Sequence, residues 1–541
     1  RALVHKYPAL KVAISQQQAS AATSAAVAAF DQVNAHKNLI HVLFDDCLFA
    51  VPSRETQKAG SQQPPKCKSK AARTAAFRLL VELARGCTPN FRILLEKLNG
   101  QLASIISSSS ILANRNTASR STSGYVGLQN QGATCYMNST MQQLYLIEPF
   151  RRGILSAFDS ADDKSESLLY HIQYMFCFLQ ESFKRYYDTT KFCRTIKDET
   201  GQPVNTRVQM DANEYFNKLF DRIENILEGT PQANLVKEVF GGTLTNQLLP
   251  QGCEHSSERD EPFYALSIDV KNKKNLQEAL ELFVEGETLS DDNAVFCEGC
   301  QKKLDTVKRC CIKTLPPVMF VQLKRFDFDF AEMRRLKLNH RVEFPMTVNM
   351  EPYTREGLFR RDTTDALRAS GQIGMFEQKP DEYYTFHLSG IVVHSGSANS
   401  GHYYSFIKEP YTPVGQEAKW FEYNDTRVSP FDLSRLEKDC FGGVDTFKVR
   451  DKETGKLVEQ QRARINNAYM LVYQRADVAD KPHWEVPSLA ATDSISINQA
   501  THTVMIGEQK NLNTNNKSTT DGVNVIDENS SDNKSTTDDT N

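Results

Sequence analysis

The strongest constraint on this chain is where it cannot build a core. From about residue 488 onward the sequence is poor in aromatics and rich in Asn, Ser, Thr and Asp, and it spells NKSTTD twice, at 516–521 and 533–538. Such a tract buries too little apolar surface to offset the entropy of ordering it, so it is expected to be disordered. Residues 104–123 (SIISSSSILANRNTASRSTS) are similarly polar and read as a flexible joiner. The expected division is therefore a helical segment with its linker at 1–122, one large chemistry-bearing domain at 123–476, and a low-complexity tail at 477–541.

The first segment carries apolar residues at helical spacing, in an Ala-rich run at 24–30 and again at 71–86. In the second run Phe77, Leu80, Val81, Leu83 and Ala84 make a stripe, with Gly86 as the stop. The polar stretch 58–70 reads as a loop between them. Helical pairs spaced this way resemble the end of an α-helical repeat array, with an ordinary helical subdomain as the alternative. The chain opens on Arg1 in mid-flow and is read as part of a longer protein. Lys and Arg total 64 against 67 Asp and Glu, a net charge of −3. That balance offers nucleic acid no general attraction. Nor does any run approach the ~18 apolar residues of a membrane helix, so membrane insertion is not expected. Twelve cysteines without a dense pattern fit a reducing compartment, cytosol or nucleus, where a thiol serves as nucleophile, metal ligand or core filler.

Within 123–476, a Gly-bearing turn (Gly127, Gly132) leads to Cys135, and an amphipathic helix with Met141, Leu144, Tyr145 and Ile147 is expected to follow. A cysteine at a helix N-terminus meets unpaired N–H groups and the positive end of the dipole, which favour the thiolate. Asn130 stands where a short loop could aim its amide N–H at a developing oxyanion. Downstream, residues 392–408 read as strand, Gly/Ser loop and strand, with His402 at the loop exit beside Gly401. Residues 420–429 then supply Asn424 and Asp425 after another short strand, as candidates to fix the histidine ring. Cys, His and Asn/Asp in that order form a nucleophilic constellation. The Cys–His separation exceeds the about 130–150 residues of the papain pattern, so something large is inserted between them. Cys253 and His255 (C-x-H) precede Cys297 and Cys300 (C-x-x-C, a common zinc half-site). Spacing alone leaves open whether these are ligands or loop thiols. Cys310 and Cys311 alternate with apolar neighbours and read as strand core.

Three runs, GLQNQGATCYMNS, QMDANEYF and SGHYYSFIK, resemble the Cys, Gln-Asp and His boxes of the ubiquitin-specific protease family of deubiquitinases. GATCYMNS, QQLY and MEPYT are most similar to its large fat-facets-type members, which carry helical repeats upstream. The resemblance implies a papain-like α+β fold with a helical thumb, a β-rich palm and zinc-braced β fingers. It implies Cys135 as nucleophile, His402 as general acid and base, and Asn130 as oxyanion donor. The third position falls on Asn424, where relatives more often have Asp, so either Asn424 suffices or Asp425 shares the task. Gln209, Asp211, Gly401 and Tyr403 would line a groove for the ubiquitin tail, which is basic and ends in Gly-Gly. On spacing alone Asp211 reads as one charge on a solvated helix face. By the same resemblance Cys253, His255, Cys297 and Cys300 hold a structural Zn2+, no catalytic cofactor is needed, and the partners are ubiquitin and ubiquitinated proteins. LKRF at 323–326 matches a family strand motif and is given a packing role.

Overall fold

Two units, dividing at Ser119 and Arg120, make up the computed structural model. It describes residues 39–49, 66–107, 123–182, 184–253, 255–362, 379–410, 417–450 and 457–479. The run 24–30, the joiner from 108 to 122 and the tail from 480 lie outside the described residues.

In the first unit, α1 (Lys70–Ala84) starts where the Ser69 hydroxyl accepts the Ala72 N–H at 3.1 Å. A short connection leads to α2 (Thr88–Ser107). Ala76, Leu80 and Leu83 bury themselves against Ile40, Phe44 and Leu48. The buried stripe is thus rotated from the expected one: Phe77 and Val81 are 44% and 54% exposed, because the partner turn covers only one side of α1. Helix α2 also runs to Ser107, through the start of the Ser-rich segment expected to be a joiner. Propagating a formed helix adds one hydrogen bond per residue fixed, which outweighs weak local propensity.

The second unit begins with a helical thumb, α3 (Cys135–Leu146), α4 (Leu168–Glu181) and α5 (Ala212–Leu227). Helix α5 is amphipathic: Tyr215, Phe216, Leu219, Phe220, Ile223 and Leu227 recur at helical spacing and are buried. All twelve residues of α3 are buried, contrary to the amphipathic reading. Its polar side is covered by the palm strand Gly401–Lys408, while Gln142 donates to the Val126 carbonyl and Asn138 to that of Leu128, both in the segment just before the helix.

The palm comprises β1 (Ala265–Ile268), β2 (Val318–Leu323), β3 (Thr347–Asn349), β4 (Thr385–Gly396), β5 (Gly401–Lys408), β6 (Trp420–Asn424), β7 (Arg427–Phe431) and β8 (Asn466–Arg475). They join in the order β7-β6-β5-β4-β8-β2-β1, with β3 on β4. One face packs on the thumb and the other on a second core around Leu323, Phe386 and Leu471. The finger is built from both sides of β1, two strands before it and two between β1 and β2, as a four-stranded sheet in the order Ser257–Phe263, Gly242–Pro250, Thr306–Thr314 and Glu287–Leu289. Cys311 is core there as expected, and burial pushes its thiol up to about 12. The 427–467 segment forms β7, a short helix (Leu436–Cys440) and an exposed hairpin pairing Val444–Arg450 with Leu457–Ala463.

The LKRF motif does more than pack. Arg325 is wholly buried and donates to the carbonyls of Ala468, Leu338, His340 and Phe441. Desolvation lowers its pKa to about 10. Nearby, the Lys337 ammonium donates to the carbonyls of His394, Gly396 and Ile465, tying the end of β4 to the residue that precedes β8. Burial, and then the Arg325 charge, bring Lys337 down to about 7.

Candidate active site

Cys135 opens α3 and is 3% exposed, at the seam where the thumb meets β5. The preceding loop is shaped by Asn130. Its amide oxygen accepts the N–H groups of Gly132 (2.9 Å) and Thr134 (3.1 Å), and its NH2 donates to Asp425 at 3.0 Å. His402 is the second residue of β5, and β6 brings Asn424 beside it.

One hydrogen-bond chain fixes the protonation pattern. The Glu422 carboxylate can only accept, so the Asn424 NH2 must face it, as the 3.1 Å contact places it. The Asn424 oxygen therefore points at His402 Nε2, 2.8 Å away, and that nitrogen carries the proton. Nδ1 is left for Cys135. The hydrogen bond to Cys135 outweighs desolvation and, helped by Asn424 and the Asp425 charge, raises His402 to about 9. An imidazolium is thus favoured at neutral pH, the state that pairs with a thiolate.

Asp425 lies 3.9 Å from His402 Nε2, and its two oxygens are already held by Asn130 and by Asn138 at 2.7 Å. Of the two candidates, Asn424 touches the histidine and Asp425 ties the Asn130 loop to the palm turn.

Asp211 is more than one charge on a solvated helix face. It caps α5 through the N–H groups of Asn213 and Glu214, and it accepts the Tyr469 hydroxyl at 2.6–2.7 Å. The Tyr403 hydroxyl stands 3.5 Å away. Gln209 accepts the Gly401 N–H at 3.1 Å. A Cβ at Gly401 would fall 2.3 Å from the His394 ring, so this close approach admits only glycine. Gln209, Asp211 and Tyr403 line a cleft of about 450 Å3 together with Phe326, Asp327 and Ser400. Gly401 sits at its edge, bonded to Gln209.

At the finger tip Cys253 and His255 follow one strand, while Cys297 and Cys300 sit on the small hairpin of Val295–Cys297 and Lys302–Leu304. All four ligand atoms lie within 4.8 Å of one another. Tetrahedral zinc, with Zn–S about 2.3 Å and Zn–N about 2.0 Å, sets S···S at about 3.8 Å and S···N at about 3.5 Å. Cys253 and Cys297 are 3.7 Å apart, and Cys300 Sγ is 3.5 Å from His255 Nδ1. A Cβ on Gly299 would overlap the His255 ring at 2.5 Å, so the glycine of C-E-G-C leaves the space the fourth ligand occupies. The residues fit the ion.

Sequence reading missed Asn138, Glu422 and Tyr469. Asn138 is one helical turn beyond Cys135 and Glu422 is two residues before Asn424 on one strand face, so both spacings carried a signal. Tyr469 meets Asp211 across most of the domain and left none.

The description Ubiquitin carboxyl-terminal hydrolase matches residues 126–473. The human "Ubiquitin carboxyl-terminal hydrolase 24" is 37% identical over 467 residues, covering 82% of this chain and 18% of its own length. The mouse "Ubiquitin carboxyl-terminal hydrolase 34" is 36% identical over 433 residues, 80% of this chain and 12% of that protein. From Drosophila melanogaster, "Probable ubiquitin carboxyl-terminal hydrolase FAF" is 33% identical over 518 residues, 84% of this chain and 18% of its own length. The chain thus spans less than a fifth of each of these relatives. Because the matched span takes in thumb, finger and palm alike, with both walls of the cleft, we place the chain in the ubiquitin carboxyl-terminal hydrolase family.

Proposed function

We propose that this chain is a thiol-dependent deubiquitinase that cleaves the isopeptide or peptide bond after the C-terminal glycine of ubiquitin. The observation that carries this reading is the contact of His402 with both Cys135 and Asn424, beside a cleft with carboxylates on its walls. The carboxylates of Asp211 and Asp327 on its walls suit a basic tail.

In this mechanism the Cys135 thiolate attacks the glycine carbonyl carbon and a C–S bond forms. The second N–H of Asn130 and main-chain N–H groups at the start of α3 hold the oxyanion. His402 gives its Nδ1 proton to the leaving amine as the C–N bond breaks, leaving a thioester. Water then gives a proton to His402 and its oxygen attacks the thioester, releasing ubiquitin and the thiolate. Bound zinc would brace the finger through Cys253, His255, Cys297 and Cys300, with no open position for chemistry. None of the twelve cysteines is paired in a disulfide, which supports action in the cytosol or nucleus.

The test is to incubate the 541-residue chain with ubiquitin bearing a C-terminal thiol-reactive electrophile. A covalent adduct with the wild type that disappears in Cys135→Ala is expected. A folded wild type that forms no adduct overturns the reading.

A further inference from the structure

We propose that Glu422 is a positioning residue of this active site, and that it is what allows an asparagine to occupy position 424. This inference rests on the deubiquitinase reading and deepens it. An asparagine beside a catalytic histidine has a weakness that an aspartate lacks: its two ends are chemically opposite. If the amide turned over, the Asn424 NH2 would face the Nε2–H of His402, donor against donor, and the ring would lose its tautomer and its anchor. Something must hold the amide one way round. In a strand, residues i and i+2 share a face, so Glu422 stands next to Asn424 on β6. Its Oε1 accepts the Asn424 N–H at 3.1 Å. Being acceptor-only, the carboxylate selects the productive orientation, with Oδ1 2.8 Å from His402.

The same geometry disfavours the residue that would otherwise suit the site. An aspartate at 424 would put two carboxylates where the amide and Glu422 now meet, a repulsion of like charges in a partly buried setting. Glu422 is therefore matched to the amide of Asn424 and mismatched to a carboxylate in its place. The charges facing Glu422 are few. Arg427, opposite Asn424 on β7, lies 3.9 Å from Oε1 and is mostly exposed. Tyr404, on β5, feels the Glu422 charge along with those of Asp439, Cys440 and Arg435, and its ring stacks on His402 at 6.1 Å. Asp425 follows Asn424 but is engaged by Asn130 and Asn138.

The experiment is a double-mutant cycle on the full chain, read as kcat, KM and pH profile with a ubiquitin C-terminal fluorogenic amide. Glu422→Ala is expected to lower kcat about tenfold with little change in KM, the effect of one lost orienting hydrogen bond. Its alkaline limb should move to lower pH as the imidazolium loses support. Glu422→Gln, whose carbonyl can still accept the same N–H, should recover most of the loss. Asn424→Asp alone should be impaired, and adding Glu422→Ala should raise its activity rather than lower it further. That reversal of sign is what a merely structural Glu422 would not produce. If Glu422→Ala keeps the wild-type kcat and pH profile, or if it depresses Asn424→Asp as it does the wild type, the proposal is overturned. The adduct between Cys135 and the electrophilic ubiquitin is scored in parallel. Loss of that adduct in the wild type sinks the deubiquitinase reading itself, whereas an intact adduct with a flat cycle sinks only the role of Glu422.

Discussion

The catalytic cleft and the finger tip are made the same way, from short polar runs brought together across long stretches of chain, and they are held closed by opposite means. In the cleft the polar groups are held by protein partners: Glu422 holds Asn424, Asn424 holds His402, and Asp425 is gripped by Asn130 and Asn138. At the tip, Cys253, His255, Cys297 and Cys300 converge within 4.8 Å while only Cys297 is buried. Thiolates so close repel one another unless a cation lies between them. The cleft is preorganised by hydrogen bonds, whereas the tip gathers a donor set that a metal ion would complete.

The largest expected effect breaks the cleft alone. Cys135→Ala should lower kcat/KM by more than about 10^4-fold while zinc content and finger order stay as they were. Loss of zinc from this variant, measured by metal analysis, would show that the two regions are not independent. Next, Cys300→Ser or chelation should loosen the tip. Hydrogen exchange across 242–263 and 287–314 should speed by roughly 100-fold, with protection in β4, β5 and β8 retained. KM for ubiquitin substrates should rise by about tenfold and kcat change less. A collapse of palm protection on chelation would contradict the comparison.

A smaller effect comes from Tyr469→Phe, which removes the hydroxyl donated to Asp211. It should cost about 1.5–3 kcal/mol of stability by chemical denaturation, the range for a hydrogen bond to a charged group. The smallest is a pH effect. His402 is raised to about 9 in the folded chain, so its stabilising contribution is complete below its ordinary 6.5 and fades as pH rises through 9. Activity should fall on the same alkaline limb. In Cys135→Ala the main cause of the shift is gone, and an NMR titration of the His402 ring should move towards 6.5. Lys337 works in the other direction: held at about 7 against an ordinary 10.5, it makes stability rise over that interval. Lys337→Met should remove that slope from a denaturation series.

Much of the site is legible in the sequence because its chemistry is local. Cys135 at a helix start, His402 at the exit of a Gly/Ser turn and C-E-G-C are all decided within a few residues. What escaped depended on distance. The stripe on α1 was misplaced because a partner from elsewhere in the chain chose which side to cover. The polar face of α3 looked solvated because the strands that bury it come much later in sequence. Asp211 looked like a surface charge because Tyr403 and Tyr469 lie far downstream. The buried pair Arg325 and Lys337 could not be foreseen either, since their partners are main-chain carbonyls, which no side-chain pattern announces.

The double engagement of Asp211 bears on how this protein could be re-engineered. One carboxylate begins α5, anchors Tyr469 and forms a wall of the cleft. A designer seeking a new tail specificity cannot adjust it freely, because each change in recognition there is also a change in folding. Ala398, Asn399 and Ser400 border the same cleft from a turn outside the two cores, and they are the positions where a library could explore new ligands at little risk to the scaffold.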